Sequence, residues 1–172
     1  QVVAVGAAVH LLLGLLGAAA LFLGARWLVH DVFRVDAHWR AEAELTLRWS
    51  ALGFFVAQLL AWLKSLPQAL QRYDIVGRLD ALFGSLVPLS TLAVVAAGGA
   101  LVEIVVARLL LSLLHLLVLQ RAVRALLPRL RLQRPGGDVL RALASFSVFS
   151  WVQRLAALTT QNADKLLIGA QH

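Results

Sequence analysis

VVAVGAAVHLLLGLLGAAALFLGA, residues 2–25, and ALFGSLVPLSTLAVVAAGGALV, residues 81–102, contain no charged side chain. At a rise of about 1.5 Å per residue, each makes a helix of roughly 33–36 Å, which is enough to cross a hydrocarbon core about 30 Å thick. Two shorter uncharged runs, residues 49–63 and 109–120, are bounded by charged side chains that can reach the headgroups. A fifth apolar stretch begins near Ala142. The pattern predicts an all-α, polytopic transmembrane helix bundle.

The composition favours the same class of protein. Hydrophobic residues make up 60% of the chain and charged residues 15%, against about 45–50% and 25% in soluble domains. The net charge is +7, which in a soluble protein would suggest nucleic acid. In a membrane protein it indicates a cytoplasmic excess of arginine and attraction to anionic lipid, so we predict no nucleic-acid partner. The chain has no cysteine, which excludes disulfides and thiolate chemistry.

The basic residues predict the orientation. Residues 121–141 hold six arginines against one aspartate, so this segment is predicted to be cytoplasmic. Alternation then places the Gly98-Gly99 turn outside, the charged loop 64–80 inside and the charged loop 26–48 outside. Gln1 lies on the cytoplasmic side in this arrangement.

A stripe of small residues marks the first predicted helix. One face carries Gly6, His10, Gly14, Gly17 and Gly24. Such a stripe lets another helix backbone approach closely. His10 lies within it, either as a hydrogen-bonded interface residue or as part of a proton relay.

Pro88 predicts a hinge in the third helix. Proline lacks the backbone donor and crowds the carbonyl four residues earlier, here that of Gly84. The hydroxyls of Ser85, Ser90 and Thr91 are candidates to satisfy the freed groups. An ordinary structural kink is the alternative.

Polar side chains follow one face of the fourth and fifth helices. Arg108, Ser112 and His115 share a face of the fourth, with Arg108 expected near mid-membrane. Charges at such depth are costly and mark a polar interior. The corresponding set on the fifth helix comprises Ser147, Ser150, Arg154, Gln161 and Lys165, with Asn162 and Asp164 beside them. Together these faces predict a substrate pathway for an anionic or polyol cargo. An interfacial position of Arg154, Asp164 and Lys165 is the alternative for the fifth helix.

Sequence motifs of enzymes are missing. The chain contains no GxSxG, P-loop, HExxH or GxGxxG motif, and its five histidines are scattered. We therefore predict no catalytic residue, metal site or cofactor. A membrane-embedded glycosyl- or acyltransferase is the alternative of another class, but Asp74, Asp80 and His115 form no recognisable catalytic set. A purely structural membrane subunit is a third possibility.

Two segments resemble bacterial polysaccharide flippases of the O-antigen and exopolysaccharide type. Residues 66–74, LPQALQRYD, are similar to a cytoplasmic turn of that family. Residues 146–151, FSVFSW, followed by residues 161–169, QNADKLLIG, are similar to the start of its seventh helix. An arginine-rich loop also precedes that helix. The resemblance covers essentially the whole chain and aligns it with helices three to seven.

The resemblance implies a partial multidrug-and-toxin-extrusion-like transporter fold. Residues 1–141 would belong to the N-terminal half with its basic cytoplasmic link, and residues 142–172 would start the C-terminal half. The implied activity is export of undecaprenyl-diphosphate-linked oligosaccharide across the bacterial inner membrane during surface polysaccharide biosynthesis. Its implied partners are this lipid-linked oligosaccharide, anionic lipid and polysaccharide polymerase machinery. A drug-efflux or lipid II transporter of the same fold is the alternative within transport.

Overall fold

The computed structural model describes residues 2–127, and the side chains of residues 3–127. Between these limits the chain is helical apart from short connections and contains no strand. The four long helices are α1 (Val2–Trp27), α2 (Arg40–Ala69), α3 (Tyr73–Ala96) and α4 (Leu101–Leu126). A π-helical segment, Leu28–Val32, extends α1. The predicted fifth span and the predicted division at residue 141 lie outside the described residues.

Each of the four helices is long and apolar enough to cross a membrane. The shortest, α3, has 24 residues and is therefore about 36 Å long. Large apolar side chains remain exposed on every helix, for example Leu23, which is 80% exposed, and Leu92, which is 66% exposed. Hydrocarbon can cover such side chains, whereas water cannot do so favourably. The predicted all-α class is confirmed for residues 2–127, with four helices that are long and apolar enough to span a membrane.

The two charged loops are shorter than predicted, so their predicted bounds are wrong. The loop predicted at 64–80 shrinks to residues 70–72, because α2 continues through the buried Pro67 and α3 begins at Tyr73. The loop predicted at 26–48 shrinks to residues 33–39 once the π-helical segment is counted. Lys64 and Asp80 therefore lie on helices, not in a loop.

Two left-handed residues allow the tight connections. Gln71 (φ 57°) lies between α2 and α3, where the Arg72 amide donates to the Pro67 carbonyl at 2.8 Å. Gly98 (φ 76°) lies between α3 and α4, where the Gly99 amide donates to the Val94 carbonyl at 2.9 Å. These bonds use carbonyls that the helix ends leave free. The predicted turn at Gly98-Gly99 is confirmed.

Helix α4 packs mainly against α2 and then against α3. The buried face of α2 repeats at helical spacing through Val56, Leu60 and Leu63. On α4 the facing side chains include Leu119, which is fully buried, and Val123. Most of the buried side chains of residues 3–127 therefore lie on α2, α3 and α4.

Helix α1 contacts α2 in a way that differs from the prediction. Opposite Gly6, Gly14 and Gly17 the nearest atoms are side-chain atoms of α2, not backbone atoms. A Cβ on Gly17 would collide with the ring of Phe54, and one on Gly14 would lie 3.0 Å from the ring of Phe55. The small-residue stripe thus accommodates aromatic rings, because a ring fills the space that a missing side chain leaves.

Carboxylates join helices at the end of the bundle that is predicted to be outside. Glu44 Oε1 lies 2.9 Å from His30 Nε2, and Glu44 Oε2 accepts a hydrogen bond of 3.1 Å from Arg48. Glu42 on α2 accepts a 3.2 Å hydrogen bond from the Leu101 amide. The last contact links α2 to the positive end of α4, where an anion is favourable.

Single cysteines test the predicted orientation. The chain has no native cysteine, and Ala97 and Gln68 are exposed at opposite ends of the bundle. We expect Ala97→Cys to react with an impermeant thiol reagent added outside intact cells, and Gln68→Cys to react only after permeabilisation, because of the arginine bias. The reverse pattern would contradict the orientation.

Candidate functional site

A cleft of about 410 Å³ opens between α1, α2 and α4. We call it the Arg108 cleft. Its polar lining consists of Arg108 and Ser112 from α4 and Ser50 from α2, and Trp49 and Phe54 add aromatic faces. The remaining lining is apolar: Leu21, Gly53, Ala57, Val105 and Leu109. A few polar groups within a mainly apolar concave surface are typical of ligand sites.

The guanidinium of Arg108 has no acidic partner in the described part of the chain. Every ion pair found among residues 3–127 involves other cations. Arg108 lies seven residues after the start of α4, about 10 Å along a helix of about 39 Å. It is therefore nearer to the helix end than the predicted mid-membrane position. It faces the cleft with its charge unneutralised by a carboxylate of residues 3–127.

Three ionisable side chains from three helices meet farther along the same face of α4. Lys64 Nζ of α2 lies 2.5 Å from Asp80 Oδ1 of α3, and His115 Nε2 of α4 lies 3.8 Å from the same oxygen. We call Lys64, Asp80 and His115 the Asp80 cluster. A pair of opposite charges is far cheaper within a membrane than either charge alone. The ion pair explains how α2 and α3 carry Lys64 and Asp80 within their apolar lengths.

His115 is the buried member of the Asp80 cluster. It is 6% exposed, and its ring stacks on Phe83 with centroids 4.3 Å apart and planes 3° from parallel. Its Nε2 is buried and makes no hydrogen bond within residues 3–127. A pocket of about 210 Å³ lies beside it, bounded by Lys64 and Asp80. His115 is thus buried against Phe83, while its Nε2 has no hydrogen-bond partner in residues 3–127.

Ser112 connects these two features. The face predicted from Arg108, Ser112 and His115 exists on α4, but its two ends line different spaces. Arg108 lines the larger cleft, His115 lines the smaller pocket, and Ser112 lines both. The structure therefore places the predicted residues along two adjoining sites on either side of one serine.

The predicted hinge residues lie in a continuous helix. Helix α3 runs through Pro88 without interruption. The predicted role of the hydroxyls is wrong: Ser85 donates to the Ala81 carbonyl, and Ser90 and Thr91 donate to the Val87 carbonyl rather than to that of Gly84. Gly84 lines the pocket beside His115, so a bend at Pro88 would change that pocket.

The remaining predicted residues are His10 of α1 and the polar residues of the fifth helix. His10 is half-buried, and its Nδ1 makes no hydrogen bond within the described range. The predicted pathway residues of the fifth helix lie outside the described residues: Arg154, Gln161, Asn162, Asp164 and Lys165.

Several residues of these sites were not predicted from the sequence, including Ser50 of the Arg108 cleft. Lys64 and Asp80 were assigned to a loop, although Lys64 ends one uncharged run and Asp80 precedes another, so both flank predicted spans. Trp49 and Phe54 were treated as ordinary apolar residues of a span. Their spacing of five residues gave no signal that both line the Arg108 cleft.

Comparisons with known proteins gave no match. No protein-family model, curated protein or solved structure matches this chain. The resemblance to polysaccharide flippases therefore rests on residues 66–74, 146–151 and 161–169, and it stays a prediction.

Proposed function

We propose that this protein is a membrane transporter that moves a lipid-linked oligosaccharide, of the undecaprenyl-diphosphate type, across the bacterial inner membrane. The observation that carries the proposal is the position of Arg108 in the lining of the cleft. An arginine that lines a cleft within an apolar helix, without a carboxylate partner in residues 3–127, suits an anionic group of a cargo. The planar guanidinium can donate two parallel hydrogen bonds to a phosphate.

The rest of the Arg108 cleft supports a cargo that also carries sugars. The hydroxyls of Ser50 and Ser112 can donate to and accept from sugar hydroxyls. Trp49 and Phe54 present flat apolar faces, and the indole N–H of Trp49 adds a donor. Diphosphate and saccharide binding would thus divide between α4 and α2.

The position of the cleft suits a lipid-linked cargo. Its walls come from three helices whose remaining surfaces are largely apolar and exposed. The lipid chain could stay in the hydrocarbon while the diphosphate meets Arg108. Rocking of two halves of the transporter would then expose the cleft to each side in turn.

Movement of a labelled cargo in vesicles tests this proposal. The full-length protein is reconstituted with a fluorescent undecaprenyl-diphosphate oligosaccharide, and an impermeant quencher reports the fraction that has crossed. We expect crossing to exceed that in protein-free vesicles. A matched lipid diphosphate without the oligosaccharide should cross more slowly, because the sugar contacts are missing.

Two other substrates complete the test. Lipid II and a hydrophobic drug are offered to the same vesicles. Faster movement of either one than of the oligosaccharide lipid would replace the proposed cargo. Movement of none of the substrates would contradict a transport function.

A further inference from the structure

We propose that the Asp80 cluster is an intramembrane proton-binding site. In this site, a proton taken up by His115 moves the Asp80 carboxylate from Lys64 to His115. The geometry carries the proposal: Asp80 Oδ1 bonds Lys64 at 2.5 Å and lies 3.8 Å from a buried ring nitrogen that has no hydrogen-bond partner in residues 3–127. The Asp80 carboxylate thus faces the Lys64 ammonium group of α2 and the His115 ring of α4.

The proposed site starts from neutral His115 with its proton on Nδ1, which leaves the lone pair of Nε2 free to accept another. Uptake forms an N–H bond at Nε2, and the resulting imidazolium donates to Asp80. Charge-assisted bonds of this kind are about 2.7–2.9 Å long, so the 3.8 Å gap has to close by about 1 Å.

Closing the gap changes which helices are joined. The Lys64–Asp80 pair joins α2 to α3, whereas a His115–Asp80 pair joins α3 to α4. Lys64 lies five residues before the end of α2, about 8 Å from it. Its long side chain can therefore extend to the headgroups when Asp80 leaves. Uptake of one proton thus exchanges one contact between helices for another.

The surrounding charges are few. In the described part of the chain, the charged groups that face His115 are Lys64 from α2 and Asp80 from α3. On α4 itself the nearest charges are Arg108 and Arg121, about 10 Å and 9 Å along the axis. His115 therefore responds mainly to Asp80 and Lys64.

A proton suits this cluster better than a metal ion does. Lys64 places a positive charge against the carboxylate, which disfavours a second cation there. Histidine is the side chain whose ordinary pKa falls between pH 5 and 8, so its charge changes under physiological conditions. The adjoining pocket of about 210 Å³ is large enough to hold water molecules beside the site.

The titration of the His115 ring tests the site directly. The full chain is labelled with ¹⁵N-histidine in nanodiscs, and the His115 signal is identified by its loss in His115→Gln. Lys64→Gln leaves Asp80 free for His115, whereas Lys64→Gln with Asp80→Asn removes that anion. We expect the titration midpoint of the double variant to be lower than that of Lys64→Gln by about one pH unit or more. Neither variant leaves an unpaired lysine, so both should fold.

Asp74→Asn is the matched control. Asp74 lies on the same helix as Asp80, six residues earlier, and pairs with Arg72. Its removal should leave the His115 midpoint unchanged. Equal midpoints in Lys64→Gln and the double variant would overturn the proposed site.

The role of the site in transport rests on the proposed function and needs a separate measurement. We expect a pH gradient to accelerate cargo movement in vesicles, and this acceleration to be lost in His115→Gln but kept in Asp74→Asn. Unchanged acceleration in His115→Gln would overturn the coupling. If the parent chain moves no cargo, the proposed function fails, while the ring titration still decides the proton site.

Discussion

Replacing Arg108 with glutamine is expected to reduce cargo movement by about tenfold to a hundredfold. A hydrogen bond to a charged group is worth about 1.5–3 kcal/mol, and each 1.4 kcal/mol corresponds to a factor of ten. Glutamine keeps a similar length and a donor but loses the charge. Arg108→Lys should retain partial movement, because a point charge still attracts phosphate but lacks the two parallel donors. The measurement is the initial rate in the vesicle assay.

Arg121→Gln is the control for this change. Arg121 lies on the same helix and is exposed, but it does not line the cleft. Its replacement removes the same charge, so a general effect of charge on insertion would appear in both variants. Equal rates for Arg108→Gln and the parent chain, at equal amounts of inserted protein, would contradict a role of Arg108 in binding the cargo.

Removing either charge of the Lys64–Asp80 pair is expected to destabilise the protein more than removing both. Asp80→Asn leaves Lys64 without its carboxylate. An unpaired charge costs about 2.5–3.5 kcal/mol at the centre of a membrane helix, and less here because the Lys64 side chain can extend to the headgroups. Lys64→Gln should cost less, because His115 can become protonated and neutralise Asp80. The double variant should recover most of the loss, since neutral partners carry no charge to bury.

Thermal unfolding of the four purified proteins measures these effects, and a double-mutant cycle isolates the pairwise contribution. Asp74→Asn again serves as control, because its pair with Arg72 is exposed. Additive losses from the two single replacements would show that Lys64 and Asp80 do not stabilise one another.

Apolar run length predicted the four long helices of residues 2–127 but not their ends. A charged residue predicts a helix boundary only when its side chain is isolated in lipid. Lys64 and Asp80 do not meet that condition because each neutralises the other, and their helices continue past them. Pro67 was assigned to a turn, yet it lies in the last turn of α2. Sequence alone does not show that two distant charges meet.

The candidate site was predictable along one helix and not between helices. Helical periodicity placed Arg108, Ser112 and His115 on one face of α4, because that relation depends on local geometry alone. Which space each residue lines depends on the packing of α1, α2 and α3 around α4. The contacts of Asp80 with Lys64 and His115 were therefore not predicted.

The fit of Phe54 against Gly17 has a consequence for the range of cargo sizes. One side of the Phe54 ring occupies the space that Gly17 leaves on α1, while Phe54 also lines the Arg108 cleft. A larger residue at position 17 would push the ring toward the cleft and narrow it. Gly17 itself does not line the cleft. Under the proposed function, the width of the cleft would then depend on a residue that does not line it, and a larger residue at position 17 would favour smaller sugars.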